Sequence, residues 1–247
     1  MRATGFPKLS RGWVCLVLAL AGGVQAEPVW VGRFPSAGEM PAPWQVQKLN
    51  QDIPATRYRL REWDGVGAVE AHAVGSMALL GRPLTVDLAR TPVLCWRWRI
   101  DAPLKKADMT QKSGDDYAAR VYLSFAVPPD TLSLGTRLAL GVARALRGDQ
   151  VPDAAINYIW DNRHPVGTWQ ANTYTDRARM RVTRSGAGDA GRWVSERRHV
   201  ADDFRQAFGH GPLRLTGIAL ASDTDNTGEE ARAGFADFRF VAEEEPC

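Results

Sequence analysis

The sequence predicts an all-β fold, a sandwich or a closed barrel, with one inserted α-helix. Short apolar runs bounded by Gly, Pro, Asn or Asp recur along the chain, which is typical of such folds. Two of these runs alternate apolar and polar residues, with the period of a half-buried strand. One further segment carries apolar residues at helical spacing. The chain has 247 residues, a length that a single all-β domain can fill.

Residues 1–26 have the pattern of a secretory signal peptide. Arg2, Lys8 and Arg11 precede the apolar run 13–21, and residues 24–26 match a small-x-small cleavage site. The run is too short for a stable membrane span with these flanks. We therefore expect a single domain over 27–247, in the periplasm or outside the cell, with no transmembrane segment once the signal is removed.

Removal of this leader abolishes the net charge. The full chain has 31 Lys and Arg against 28 Asp and Glu, and all three ionisable side chains of the leader are basic. The expected mature form therefore carries 28 charges of each sign. General electrostatic attraction to nucleic acid is not expected for such a chain.

The predicted strands follow one another along most of the domain. Turn residues separate them, and their order does not show which strands pair. They cover residues 57–63, 68–74, 84–88, 93–100, 117–127, 155–160, 168–174, 178–183, 192–199, 213–221 and 235–241. Residues 27–45 contain several Pro and Gly, and we expect a loosely held lead-in there.

Alternation is clearest in two of these strands. In 93–100, the even-numbered residues are large and apolar, whereas Arg97 and Arg99 lie on the other face. In 117–127, Arg120 and Tyr122 share the polar face. We expect Trp96 and Trp98 to belong to the core, because they have the parity of the apolar residues.

The inserted helix is expected at about 133–147. Its apolar residues recur at intervals of three and four, and Gly148 is placed to end it. The helix would cover an edge or one end of the sandwich.

Two cysteines remain after the leader, Cys95 and Cys247. An oxidising compartment would allow them to pair. Cys95 lies within an apolar strand pattern, where a small buried thiol is common, and Cys247 ends an acidic tail. We therefore favour two unpaired thiols over a disulfide.

The segment Asp223-Thr-Asp-Asn-Thr-Gly228 is the densest group of oxygen-bearing side chains. Asp223 and Asp225 have the spacing of the first half of an EF-hand loop, but Gly234 occupies the position of the required bidentate Glu. An EF-hand is therefore excluded. A calcium site that uses Asp223, Asp225 and a second loop remains open, as does a turn held by Asx hydrogen bonds.

The second polar motif, residues 114–120, contains the adjacent carboxylates Asp115 and Asp116. Two such groups cannot both be buried and ionised without a cation or an arginine nearby. Arg120 is the expected partner. As catalytic groups they would need another carboxylate across a cleft, which Asp223 or Asp225 could supply.

Several motifs show a resemblance to a known family. They lie at 94–100, 114–122, 158–160, 193–198, 203–204 with 208–209, and 218–228. Through these residues the chain resembles the bacterial DUF3047 family, which has no established activity or catalytic residues. The resemblance implies an exported protein with a jelly-roll-like antiparallel β-sandwich, similar in outline to carbohydrate-binding modules.

The expected function is that of a non-catalytic exported module that binds a saccharide or a cell-envelope glycan. Trp160, at a predicted strand end, would stack on a sugar ring, and the polar groups would orient hydroxyls. The expected ligand-binding residues are Asp115, Asp116, Arg120, Trp160, Asp223, Asp225 and Asn226. A glycan hydrolase or lyase with paired carboxylates, and a purely structural envelope protein, are the alternatives.

Overall fold

The computed structural model describes residues 26–128, 130, 134–147, 152–211 and 214–247. The predicted signal peptide lies outside these residues, apart from Ala26. The strands are β1 (Val29–Gly32), β2 (Gln45–Gln47), β3 (Arg57–Trp63), β4 (Val66–Val74), β5 (Leu79–Pro83), β6 (Val93–Ile100), β7 (Tyr117–Ala126), β8 (Ala154–Asp161), β9 (Trp169–Asn172), β10 (Thr175–Ser185), β11 (Val194–His199), β12 (Arg214–Asp223) and β13 (Glu230–Val241). The helices are α1 (Leu134–Arg147) and α2 (Val200–Phe208).

These strands form two sheets, which confirms the predicted β-sandwich. The six-stranded sheet has the order β11-β6-β13-β4-β3, with β1 also paired to β13, and the seven-stranded sheet has the order β2-β5-β12-β7-β8-β10-β9. Strands β8 and β10 pair in parallel, whereas the other pairs within the described residues are antiparallel. The seven-stranded sheet is therefore mixed.

The core between the sheets is built on tryptophan and tyrosine rings. Trp96 and Trp98 are at most 1% exposed, as their parity predicts. Trp96 stacks on Tyr158 across the sandwich with ring centroids 5.4 Å apart. Contacts at this separation add to the large apolar area that each ring buries. The two sheets are thus joined by aromatic pairs at their centre.

The predicted inserted helix is confirmed as α1, whereas residue 133 and Gly148, which we expected to end the helix, lie outside the described residues. A second helix, α2, was not predicted. His199 begins it by accepting a hydrogen bond from the Asp202 amide (3.1 Å), and Gly209 ends it with a φ of 77°. Phe204 on this helix is fully buried and lies 4.6 Å from the Phe125 ring centroid. The helix therefore covers one part of the core.

Two other predictions are corrected. The lead-in 27–45 is not loose, because β1 pairs with β13 and Trp44 is buried at 5% exposure. No strand forms at the predicted position 84–88; the segment just before it, Leu79–Pro83, forms β5 instead. Gly81 and Pro83 disfavour a strand by propensity, but pairing of β5 with β12 and β2 outweighs that preference.

The expectation of two unpaired thiols is wrong. Cys95 and Cys247 form a disulfide, with Cα atoms 5.6 Å apart. The last strand, β13, runs beside β6 with Arg239 opposite Cys95, and the chain then turns back so that the Glu245 amide donates to the Ala242 carbonyl. This turn returns the C-terminal residue to β6, which sequence spacing cannot show.

Within the part of the chain that the structure describes, neither helix has the length and apolar character needed to cross a membrane.

Candidate functional site

Two loops that are far apart in sequence meet at one end of the seven-stranded sheet. One precedes β7 and contains Asp116, and the other follows β12 and contains Asn226 and Thr227. Asp116 accepts hydrogen bonds from the backbone amides of Thr227 (2.6 Å) and Asn226 (3.3 Å). Its carboxylate is fully buried. Asp116 therefore ties the two loops together.

Arg120 occupies the centre of this junction, and it is only 4% exposed. Its guanidinium forms an ion pair with Asp223 and lies 3.7 Å from Asp115 Oδ1. Burial alone would lower the pKa of Arg120. Attraction to the negative charges around it, of which Asp223 is the largest contributor, outweighs burial and raises this pKa. The arginine is therefore held as a cation among buried carboxylates.

The carboxylates outnumber this arginine. One oxygen each from Asp116, Asp223 and Asp225 lies within 4.8 Å of the others. Burial raises the pKa of Asp223 well above its ordinary value. Arg120 opposes this rise, and repulsion from the neighbouring carboxylates adds to it. Burial and the charge of Asp116 likewise raise the pKa of Asp225, which is half-buried. With all of its carboxyl groups ionised, the cluster would carry more negative charge than Arg120 neutralises, and the raised pKa values of Asp223 and Asp225 reflect this imbalance.

The loop from Asp223 to Gly228 is a tight turn. The Gly228 amide donates to the Thr224 carbonyl (2.9 Å), and Gly228 has a φ of 68°, which favours glycine. The Thr224 amide donates in turn to the Ser76 carbonyl (3.0 Å). Asn226 lies at the exposed tip. The turn thus places Asp223 inside, Asp225 at the boundary and Asn226 in solvent.

Trp160 does not belong to the ligand-facing surface. Its side chain is 1% exposed, lies 5.6 Å from the Trp98 ring and donates its indole N–H to the Gly186 carbonyl (3.0 Å). The expected stacking on a sugar ring is therefore corrected. Trp160 shares the parity of Tyr158 on β8, and this side of the strand faces the core.

Sequence reasoning missed three residues beside the cluster. Asn172 donates from Nδ2 to Asp115 Oδ2 (2.9 Å), and its own Oδ1 accepts from the Tyr174 amide (3.0 Å). Tyr174 is 58% exposed, and Lys112 Nζ lies 5.1 Å from its ring centroid. Asn172 is the last residue of β9, Tyr174 lies in the turn after it, and Lys112 lies in the loop before β7. The available signal in the sequence was a tyrosine that directly follows an Asn-Thr pair, ahead of the next predicted strand.

The outer face of the seven-stranded sheet carries further buried polar groups beside the cluster. Arg120 and Tyr122 project from β7 on the side away from the core, and Asn157 on β8 lies opposite Tyr122. Arg120 Nε, Asn157 Oδ1 and Asp115 Oδ1 are buried and have no hydrogen-bond partner among the described residues. Such groups are normally satisfied by water, an ion or a ligand.

Comparisons with known proteins bear mainly on the family. No curated protein matches the chain. Among solved structures, the chain is similar to the family 30 carbohydrate-binding module of a cellulosomal cellulase from Clostridium thermocellum, with 8% identity, a TM-score of 0.35, and coverage of 90% of this chain and 96% of that one. Similarity at that level implies nothing about a ligand. A family model described as "Protein of unknown function (DUF3047)" matches residues 42–239, which is most of the chain, so the protein belongs to the DUF3047 family.

Proposed function

We propose that the protein is an exported, non-catalytic module that binds a saccharide, including the glycans of the cell envelope. The observation that carries this proposal is the exposed Tyr174 ring beside the Asn172–Asp115 pair. An exposed aromatic ring stacks on the C–H face of a sugar, and adjacent amide and carboxylate groups bind its hydroxyls. Tyr174 therefore takes the role that we expected of Trp160.

The surrounding side chains extend this surface in two directions. Asn226 and the half-buried Asp225 lie beyond Asp116, and Lys112 lies over the Tyr174 ring. Together they supply acceptors, an amide and an ammonium group within one continuous set of contacts.

The hydrolase or lyase alternative has weaker support. Glycoside hydrolases use two carboxyl groups about 5 to 9 Å apart on opposite sides of an open cleft. Here the oxygens of Asp116, Asp223 and Asp225 lie within 4.8 Å of one another, and Asp223 is fully buried against Arg120. A closed cluster of this kind suits a structural or cation-binding role.

Export is supported by the disulfide as well as by the leader pattern. A Cys95–Cys247 bond persists in an oxidising compartment such as the periplasm or the extracellular medium and is rare in the cytosol. A periplasmic or secreted location is therefore part of the proposal.

Binding is tested on a glycan array that includes bacterial envelope fragments. We expect the wild type to retain at least one class of saccharide, and Tyr174→Ala to weaken that binding about tenfold or more, because one stacked ring contributes on the order of 1.4 kcal/mol or more. Trp30→Ala is the matched control. Trp30 is 41% exposed but lies on β1 in the other sheet, beneath Arg33.

Two results would count against the proposal. Retention of no saccharide by the wild type would favour the structural alternative. Release of reducing ends from a retained glycan would favour the hydrolase.

A further inference from the structure

We propose that Asp116, Asp223 and Asp225 bind a divalent cation of the calcium class, which joins the loop before β7 to the loop after β12. The proposal rests on the carboxylate geometry and does not depend on saccharide binding. One ligand oxygen from each residue lies within 4.8 Å of the others, a spacing that a single central ion can bridge at calcium–oxygen distances of about 2.4 Å.

The junction of the two loops holds more carboxylates than buried cations among the described residues. Asp115, Asp116, Asp223 and Asp225 place four carboxylates at the junction, and Arg120 is the only buried cation against them in the described residues. Lys106 is also near, with Nζ 3.3 Å from the Thr227 carbonyl, but it is exposed. Buried charge without compensation is strongly unfavourable. A divalent ion would remove most of the excess.

Asp223 also has one carboxylate oxygen without a hydrogen-bond partner among the described residues. Asp223 is 0% exposed, and its Oδ2 is paired with Arg120. Its Oδ1 has no hydrogen-bond partner among the residues that the structure describes. A buried carboxylate oxygen without a donor is costly unless it accepts from water or coordinates a metal. Arg120 thus fixes one oxygen of Asp223 and leaves the other for an ion.

The donor set selects the type of metal. The three ligands offer hard oxygens, and the cluster contains neither histidine nor cysteine. Zinc and copper prefer nitrogen and sulfur ligands. Magnesium demands nearly ideal octahedral geometry, whereas calcium accepts irregular sets of six to eight oxygens. Carboxylates from two loops, completed by water or backbone carbonyls, fit calcium better.

The test measures calcium binding to the full exported chain after it has been stripped with EDTA and dialysed, with no saccharide present. Isothermal titration with CaCl₂ is expected to show one site, and saturating CaCl₂ is expected to raise the Tm. Asp225→Asn should weaken calcium binding tenfold or more and should reduce the rise in Tm. Asp225 is half-buried at the edge of the cluster, so its replacement by the isosteric amide leaves the fold intact.

One further comparison distinguishes an effect of the substitution on folding from an effect on calcium binding. In EDTA, Asp225→Asn should be at least as thermostable as the wild type, because it removes repulsion from the cluster. Asp202→Asn, at an exposed carboxylate on α2, is the control and should bind calcium like the wild type. Absence of calcium binding by the wild type, or unchanged binding by Asp225→Asn, would overturn the proposal. An equal response to MgCl₂ would overturn the assignment to calcium.

The two proposals fail separately. Loss of glycan binding in Tyr174→Ala with normal calcium binding supports the saccharide site and leaves the ion site standing. Calcium binding without any saccharide binding would support the ion site and contradict the proposed function.

Discussion

Arg120 shows how one buried side chain determines the state of its neighbours. It is 4% exposed and pairs with the fully buried Asp223 and with Asp115. The ion pairs of Arg120 add little net stability, because each charge loses its water on burial. Removal of Arg120 would cost much more, because its carboxylate partners would remain buried without a counter-charge. Arg120 therefore allows the carboxylates to be buried, but it adds little stability of its own.

A double-mutant cycle tests this role. Arg120→Met should lower the free energy of unfolding by about 3 to 5 kcal/mol, because it leaves buried carboxylates without a partner. Adding Asp223→Asn should recover part of that loss, and the two changes should not be additive. Chemical denaturation at constant ionic strength in EDTA measures both. As a control, Arg205→Met breaks the exposed pair with Asp202 and should cost less than about 1 kcal/mol. Strict additivity of Arg120→Met and Asp223→Asn would contradict this account.

At the same scale, the sequence indicated the acidic residues and the arginine but misjudged the aromatic one. Asp116, Arg120 and Asp223 were recognisable because carboxylates in apolar surroundings need partners. Trp160 was misjudged because a strand-end tryptophan can face either way, and only its parity with Tyr158 showed that it faces the core. Tyr174 was missed because its importance depends on Asn172 reaching Asp115, a contact across 57 residues.

Among the elements, the C-terminal strand is the one that continues into a disulfide-linked end of the chain. The bond between Cys95 and Cys247 joins β6 to the end of the chain across a separation of 152 residues. Closing so long a loop restricts the unfolded chain, which stabilises the folded one by about 2 to 5 kcal/mol.

Removal of the disulfide tests this contribution at a site on the other sheet from the cluster. Cys247→Ser, or reduction with dithiothreitol, should lower the free energy of unfolding by about 2 to 5 kcal/mol. The double variant Cys95→Ala/Cys247→Ser should be insensitive to dithiothreitol, which controls for other effects of the reagent. A wild type with the same denaturation midpoint under oxidising and reducing conditions would contradict the predicted stabilisation by the bond.

Strands with strong alternation and the helix α1 were predictable because their apolar period is local. Strands β1 and β2 and helix α2 were not predictable in this way. Strand β1 has four residues in a region rich in Pro and Gly, and its strand state comes from pairing with β13. Helix α2 is nine residues long, and burial of Phe204 against Phe125 supports it more than its propensity does. Short elements depend on partners that a sequence does not locate.

For the whole molecule, the two-sheet architecture creates the site. Strands β7 and β12 are neighbours in one sheet, with Asp223 opposite Tyr117, so the loop before one and the loop after the other meet. Asp116 and Thr227 are separated by 111 residues along the chain, yet they are hydrogen-bonded. The sequence could show both polar loops. Which strands pair, and therefore which loops meet, follows only from the assembled sandwich.

The central claim is that this end of the seven-stranded sheet binds a saccharide. An amide NMR titration of ¹⁵N-labelled protein with the oligosaccharide that the array selects tests it most directly. We expect chemical-shift changes concentrated at Lys112, Asn172–Tyr174 and Asp225–Asn226, with little change at Trp30 on the opposite sheet. Shifts confined to another surface, or saturation without any change at Tyr174, would contradict it.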